Sequence, residues 1–344
     1  MNGDPRWVSA HLFHDGDLDL LARRVVAPVV HEARERGLLR RHFFLRYWEG
    51  GLHVRLRLLP TAPEAAPELR RLVGERAAAH FATTPSVRAI GDERYAELAA
   101  RMAAGERLTS YETALRPPDS VADVPYRPEY DAYGDASCLD LVEQHFTESA
   151  DIALALIGSG AGRQARARLV LAALTCVLAV CEPRHDLAAA AFAGSAPGRA
   201  SRAGGPAGAQ DHYARHADRL TAQTRALWER AATRRPAPPD PAAAPLAAWT
   251  HSIAVLRDGL LRRRAEGAFD PRDPGSPPGA LAMAIAPDQR PVGLVLLRCA
   301  HLLSNRLGVT ADHEGLLAFL LARTLLDLAG PAAPQPVPDG SRTA

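Results

Sequence analysis

The chain contains no lysine, so all 41 of its basic residues are arginine. A Schiff-base mechanism, a pyridoxal phosphate linkage and a Walker-type phosphate loop each require an ammonium group and are excluded. Cysteine is also scarce. Cys138, Cys176, Cys181 and Cys299 form no Cys-x-x-Cys pair and have no histidine at zinc spacing, so they read as buried thiols of a reducing cytoplasm, with no metal site. Net charge is small, 41 basic against 39 acidic residues with the signs interspersed, which argues against nucleic acid as a partner. The longest apolar run, Leu169 to Val180, falls well short of the ~20 residues of a membrane span. Residues 1–7 lack the basic start and apolar core of a signal peptide. A cytoplasmic protein without membrane contact is expected.

What is present centres on Arg40 to Pro60. The first arm carries Phe43, Phe44, Leu45, Tyr47 and Trp48, the middle is Glu49-Gly50-Gly51, and the second arm alternates, which predicts a β-hairpin. Leu52, Val54, Leu56 and Leu58 share one parity, and His53, Arg55 and Arg57 share the other. A period of two therefore sets an imidazole and two guanidiniums on one sheet face. An antiparallel sheet with one solvated face accounts for the alternation, but the aromatic flanks suit a sheet covered on both sides. A covered Arg-x-Arg needs an anion.

Around the hairpin, Trp7 to Phe13 reads as a strand and Leu18 to Arg36 as an amphipathic helix closed by Gly37. Residues 64–82 predict another helix, Val87 to Ile90 a fourth strand, and Glu93 to Ala104 a short helix. Val124 to Ala150 begins as irregular backbone bearing Tyr126, Glu129, Tyr130 and Tyr133 and ends as a helix. Such a loop suits a binding surface or a packed connection equally well. Ser149 to Cys181 reads as two apolar helices broken near Gly158. Ala193 to Ala209 and Arg234 to Pro245 read as flexible connections flanking a helix from Gln210 to Thr233. Asp270 to Gly279 is a proline-rich loop, and helices follow at Val292 to Leu307 and Asp312 to Leu328. His301 and Asn305 share one face of the first of these, where a histidine suits a core position as well as a chemical role, and Asn305 with Arg306 could equally form a helix cap. The expected fold is α+β: an N-terminal antiparallel or mixed sheet with covering helices, packed on a largely helical C-terminal half. Residues 1–330 are expected as a single domain, sheet-rich to about 135 and helical from about 136, with a disordered tail at 331–344.

Taken together, Trp7, Phe43 to Trp48, His53 to Leu58, Tyr126-x-Pro128-Glu129 with Tyr133-Gly134, and His301 with Asn305 to Gly308 resemble the C-terminal elimination-domain family of lantibiotic dehydratases, whose fold also occurs in free-standing thiopeptide biosynthesis proteins. The resemblance covers about residues 5–328. By it, Arg55, Arg57 and His301 match family positions, the arginines holding a carboxylate and the histidine moving a proton. Two positions depart from the family pattern Glu-x-x-Arg-Tyr-Gly-Gly: Ala132 stands where a third arginine is usual, and Asp135 replaces the second glycine. Losing that guanidinium costs an anion site about 1.5–3 kcal/mol.

The resemblance implies three alternatives. First is a pyridine-forming cyclase, which joins two dehydroalanines of a leader-bearing precursor peptide in a formal aza-[4+2] cycloaddition and expels water and leader. Second is a split dehydratase subunit that eliminates glutamate from glutamylated Ser or Thr. Third is a non-catalytic leader-peptide-binding protein. The implied catalytic residues are His301, Tyr133, Glu129 and Tyr130, and the implied substrate-binding residues are His53, Arg55, Arg57, Tyr126, Asn305 and Arg306. No metal or organic cofactor follows from the enzymatic readings. The implied partners are the precursor peptide, as leader and dehydrated core, and other thiopeptide maturation enzymes, with a homodimer left open.

Overall fold

A computed structural model of the protein describes residues 4, 6–88, 90–106, 108–203, 205, 208–233 and 244–330. The tail expected at 331–344 and residues 234–243 of the second connection lie outside these.

Strand β1 (Val8–Phe13) leads into α1 (Leu18–Leu21), whose first turn is capped where the Asp17 carboxylate accepts from the Asp19 amide at 2.8 Å. A π-helical turn at Ala22–Val26 joins α1 to α2 (Ala27–Glu35). The hairpin follows as β2 (Leu39–Tyr47) and β3 (His53–Pro60). Its turn places Gly50 at φ +78° and Gly51 at φ +114°, backbone that glycine adopts without strain. Leu52 belongs to this turn and is 46% exposed, so the apolar stripe of β3 starts at Val54 rather than at Leu52. Helices α3 (Ala66–Thr83) and α4 (Asp92–Glu106) precede β4 (Ser120–Asp123). The fourth strand is therefore this segment and not Val87–Ile90. Val87 is 86% exposed, and its neighbour Ser86 is held instead by Asp119, whose carboxylate accepts from the Ser86 amide and hydroxyl.

All pairings are antiparallel, in the order β2-β3-β1-β4. One sheet face sets Val54, Leu56 and Leu58 beside Leu12, Ala10 and Val8 by register, and all six are buried with Val25, Val29, Leu69 and Leu72 of the helices. The opposite face carries His11, His53, Arg55 and Arg57. It is covered by residues 124–134, which include the short α5 (Tyr130–Tyr133), and by α6 (Ala136–Gly158). Asp135 begins α6 by accepting from the Ser137 and Cys138 amides at 2.9 and 3.0 Å. A helix start favours a short acceptor side chain over a second glycine there.

The C-terminal half is helical: α7 (Arg163–Cys181), α8 (His185–Gly194), α9 (Ala196–Ala203), α10 (Ala209–Ala214), α11 (Ala217–Ala232), α12 (Pro245–Ala265), α13 (Arg290–Arg306) and α14 (Ala311–Leu328). Helix α9 occupies part of the span expected as a flexible connection at 193–209. Helix α7 is long and apolar enough to cross a membrane, but it is mostly buried as the central helix of this half, against α11, α12, α13 and α14. The fold is α+β, with the sheet confined to the N-terminal part.

Candidate active site

The second strand of the hairpin delivers its polar stripe as alternation requires, and register adds a member. His11 of β1 pairs with Arg55 of β3, so the two share the covered face. The His11 and His53 rings stack with centroids 4.8 Å apart. His53 Nδ1–H donates to the Gly51 carbonyl at 2.8 Å, leaving Nε2 to accept from Arg55 Nε–H at 3.3 Å. Burial first, and the neighbouring arginines after it, hold His11 down to about 2 and His53 to about 3, so both rings are neutral acceptors.

The two guanidiniums differ in partners. Arg55 lies over the Tyr47 ring, 3.3 Å from its centroid, and donates to Glu49 at 2.9 Å. Arg57 is 7% exposed and donates to His11 Nε2 at 3.1 Å and, at 3.4 Å, to the Leu56 carbonyl. No carboxylate among the described residues pairs with it. Burial, then the nearby Arg55 charge, lowers Arg57 to about 10.

Facing this stripe is the loop of residues 124–134. Tyr126 lies under Arg57, 5.9 Å from ring centroid to guanidinium carbon, and donates to Glu143 of α6 at 2.8 Å. Burial raises Glu143 to about 6 against the lowering effect of that bond. Glu129 and Tyr133 meet a residue the sequence did not single out. Arg298 of α13 donates from Nε to the Tyr133 hydroxyl at 3.0 Å, from Nη2 to Glu129 at 2.7 Å and from Nη1 to the Gly275 carbonyl at 2.8 Å. Burial works against the Arg298 charge, but Tyr133 and Glu129 outweigh it and hold the guanidinium above its ordinary range. Burial, then the Glu129 carboxylate, raises Tyr133 well above the usual phenol range. Glu129 also acts on Arg57 through space, so the loop carboxylate lies on the side of the sheet that carries the stripe. Tyr130 differs from its neighbours in being 44% exposed.

Helix α13 also bears His301. His301 Nδ1 lies 2.7 Å from Glu314 of α14, which is 2% exposed, so the carboxylate fixes the ring and leaves Nε2 for another partner. Arg298 and Asn305 are seven residues apart, about 10.5 Å along the helix and nearly in line, with His301 between them on the same side. Asn305 and Arg306 are engaged by the sheet: Asn305 bonds both backbone groups of Arg46, and Arg306 donates to the Phe44 carbonyl at 3.0 Å.

The fold thus gathers His53, Arg55, Arg57, Tyr126, Glu129 and Tyr133 around one cleft and adds His11, Glu49 and Arg298. Strand register could have revealed His11. No local signal marks Arg298, which reaches Glu129 and Tyr133 only by helix packing, or Glu314, which reaches His301 in the same way. A separate cavity of about 520 Å³, bordered by Cys176, Leu227, Arg230, Thr250 and Val255, contains none of these residues. No cluster of three or more metal-ligating side chains occurs among the described residues.

Comparison with solved structures finds a pyridine synthase, TbtD, from thiomuracin biosynthesis, 21% identical with a TM-score of 0.65, covering 94% of this chain and 99% of that one. TsrL is 19% identical with a TM-score of 0.59, covering 95% and 99% of the two chains. The tRNA-dependent lantibiotic dehydratase MibB from Microbispora sp. 107891 is 20% identical with a TM-score of 0.54; the match spans 94% of this chain but only 28% of that larger protein. Curated protein sequences give no significant match. Residues 7–325 match the family model described as lantibiotic biosynthesis dehydratase C-term. The chain therefore belongs to the lantibiotic biosynthesis dehydratase C-terminal family.

Proposed function

We propose that the protein is a pyridine-forming cyclase of thiopeptide biosynthesis. It joins two dehydroalanines of one leader-bearing precursor peptide in a formal aza-[4+2] cycloaddition, and water and the leader leave as the ring becomes aromatic. The observation that carries this reading is the charge balance of the cleft. Arg55 is neutralised by Glu49 and Arg298 by Glu129, while Ala132, 5% exposed, adds no charge; of these three arginines only Arg57 has no carboxylate partner among the described residues. One free guanidinium suits the polarisation of a neutral amide oxygen better than capture of a glutamate leaving group.

Most of the catalytic task is entropic, since two residues distant along a peptide must be held face to face. The rest is proton transfer, for which His301, Tyr133, Glu129 and Tyr130 are the available carriers. Likeness to a pyridine synthase along 94% of this chain and 99% of that one supports the reading. The partner is the precursor peptide, presenting leader and dehydrated core.

Glutamate elimination from a glutamylated peptide is the second reading. It is favoured by the same unpaired Arg57, which a substrate carboxylate would complete. Ala132→Arg separates the two: it should leave cyclisation unimproved or block it sterically, whereas an eliminating enzyme should be unharmed or faster.

A further inference from the structure

Arg298 is unusual among the arginines of the cleft in that each of its three nitrogens has its own oxygen: the Tyr133 hydroxyl, the Glu129 carboxylate and the Gly275 carbonyl. Those bonds come from three separate chain segments and lock the guanidinium in one geometry. Two of them go to groups four residues apart that flank Ala132, the position where the family pattern places an arginine. Helix α13 thus places a guanidinium beside this stretch of the loop.

We propose that Arg298 is a positioning residue that couples Tyr133 and Glu129 into a two-proton relay for the amide to imidic acid tautomerisation, an inference that rests on the cyclase reading. In that step the substrate amide N–H gives its proton to Glu129, and the amide oxygen takes the phenolic proton of Tyr133. One N–H bond and one phenolic O–H bond break, and a carboxyl O–H bond and an imidic O–H bond form. The relay begins as carboxylate and phenol and ends as carboxylic acid and phenolate. Its net charge is unchanged, and the negative charge passes from one oxygen bonded to Arg298 to the other. Reverse transfers, or exchange with His301 and solvent, reset it.

Coupling follows from the electrostatics. Burial and the Glu129 carboxylate both hold the proton on Tyr133, and Arg298 opposes them. When Glu129 accepts a proton its charge disappears, one of the two effects opposing phenolate is removed, and Arg298 is left with Tyr133 as its counterion. Neither transfer is favourable alone, because Tyr133 is buried and Glu129, although exposed, is held by Arg298; together they keep the guanidinium paired throughout.

The test uses the full-length enzyme with a leader-bearing peptide that contains two dehydroalanines, and follows kcat, KM and the solvent deuterium dependence of kcat. Tyr133→Phe and Glu129→Gln should each lower kcat about 10²- to 10⁴-fold with KM nearly unchanged. Arg298→Ala should match them, each double variant should be no slower than its slower single, and Arg298→Lys should recover part of the rate. The wild-type rate should depend on deuterium fraction as expected for two protons in flight. Should Arg298→Ala fail to fold, Arg298→Lys and the Tyr133/Glu129 double variant still decide the matter. Multiplicative losses in the double variants, a change confined to KM, or a one-proton dependence would overturn the relay. Wild-type inertness toward this peptide with release of glutamate from a glutamylated peptide overturns the cyclase reading instead, and the Arg298 variants are then measured on that second substrate.

Discussion

The side-chain amide of Asn305 completes the free edge of the sheet at Arg46, accepting from the Arg46 backbone N–H at 2.8 Å and donating to its carbonyl at 2.8 Å. Next to it, Arg46 and Arg166 donate to the carbonyls of Arg306 and Leu307 at the end of α13 while sharing Asp19 as counterion. This contact binds the two halves of the protein together. Asn305→Leu leaves the part-buried Arg46 backbone groups unmet and should cost about 1–3 kcal/mol in urea unfolding. A loss below ~0.5 kcal/mol would show that water replaces the amide without penalty.

The His301 and Glu314 pair predicts a graded response. His301→Ala should lower turnover about 10²- to 10⁴-fold, as loss of a proton carrier does. Glu314→Gln, which keeps a hydrogen-bonding group but not the charge, should lose less. Near wild-type turnover in the His301 variant would return that histidine to a structural role and leave Tyr133 and Glu129 as the acid and base.

Arg57 is a case in which function and stability oppose each other. A buried guanidinium without a carboxylate is costly to the fold, so Arg57→Met should leave stability unchanged or raise it by about 1 kcal/mol while turnover collapses. Thermal unfolding and a rate assay on the same preparation check both halves. Clear destabilisation would mean that the bonds to His11 and Leu56 outweigh the desolvation.

Mild acid should unfold the protein. His11, His42, His53 and His145 are held down to about 2, 4, 3 and 3, chiefly by burial, whereas in the unfolded chain each binds a proton near 6.5. As pH falls below 6.5 the unfolded state gains protons that the folded state refuses, and each histidine removes about 1.4 kcal/mol of stability per pH unit until its folded value is reached. Glu143 acts in the opposite sense. Its folded value of about 6 lies above the ordinary 4.5, so the folded state binds that proton first and gains stability as pH falls between the two. Of these five groups three net protons remain, or roughly 4 kcal/mol per unit between pH 6 and 4.5, and His80 and His212, which burial also lowers, act in the same direction. Urea unfolding at several pH values measures the slope, and a flat profile would contradict the burial of these rings.

The hairpin and its polar stripe were legible in the sequence because strand alternation at Val54, Leu56 and Leu58 admits one register. The helices at 18–35 and 136–181 were legible because apolar residues recur at helical spacing. Leu52 was assigned to the stripe because its parity fits, although the turn claims residues 48–52. Strand β4 was missed because Ser120-Val121-Ala122-Asp123 has little strand character of its own and forms by pairing with β1. Helix α12 was passed over because its apolar residues face several neighbours and leave no clean stripe. Arg298 and Glu314 read as ordinary polar positions on amphipathic helices. Only the packing of α13 against the loop and against α14 gives them partners.

Joining of dehydroalanines, and not removal of glutamate, is the chemistry proposed for this cleft. The most direct measurement is mass spectrometry of two leader-bearing peptides incubated with the purified protein, one carrying two dehydroalanines and one a glutamylated Ser, without ATP, tRNA or added metal. The first peptide should yield a macrocycle and a released leader fragment while the second is recovered intact. Loss of glutamate from the second peptide, with the first unchanged, would contradict the cyclase reading.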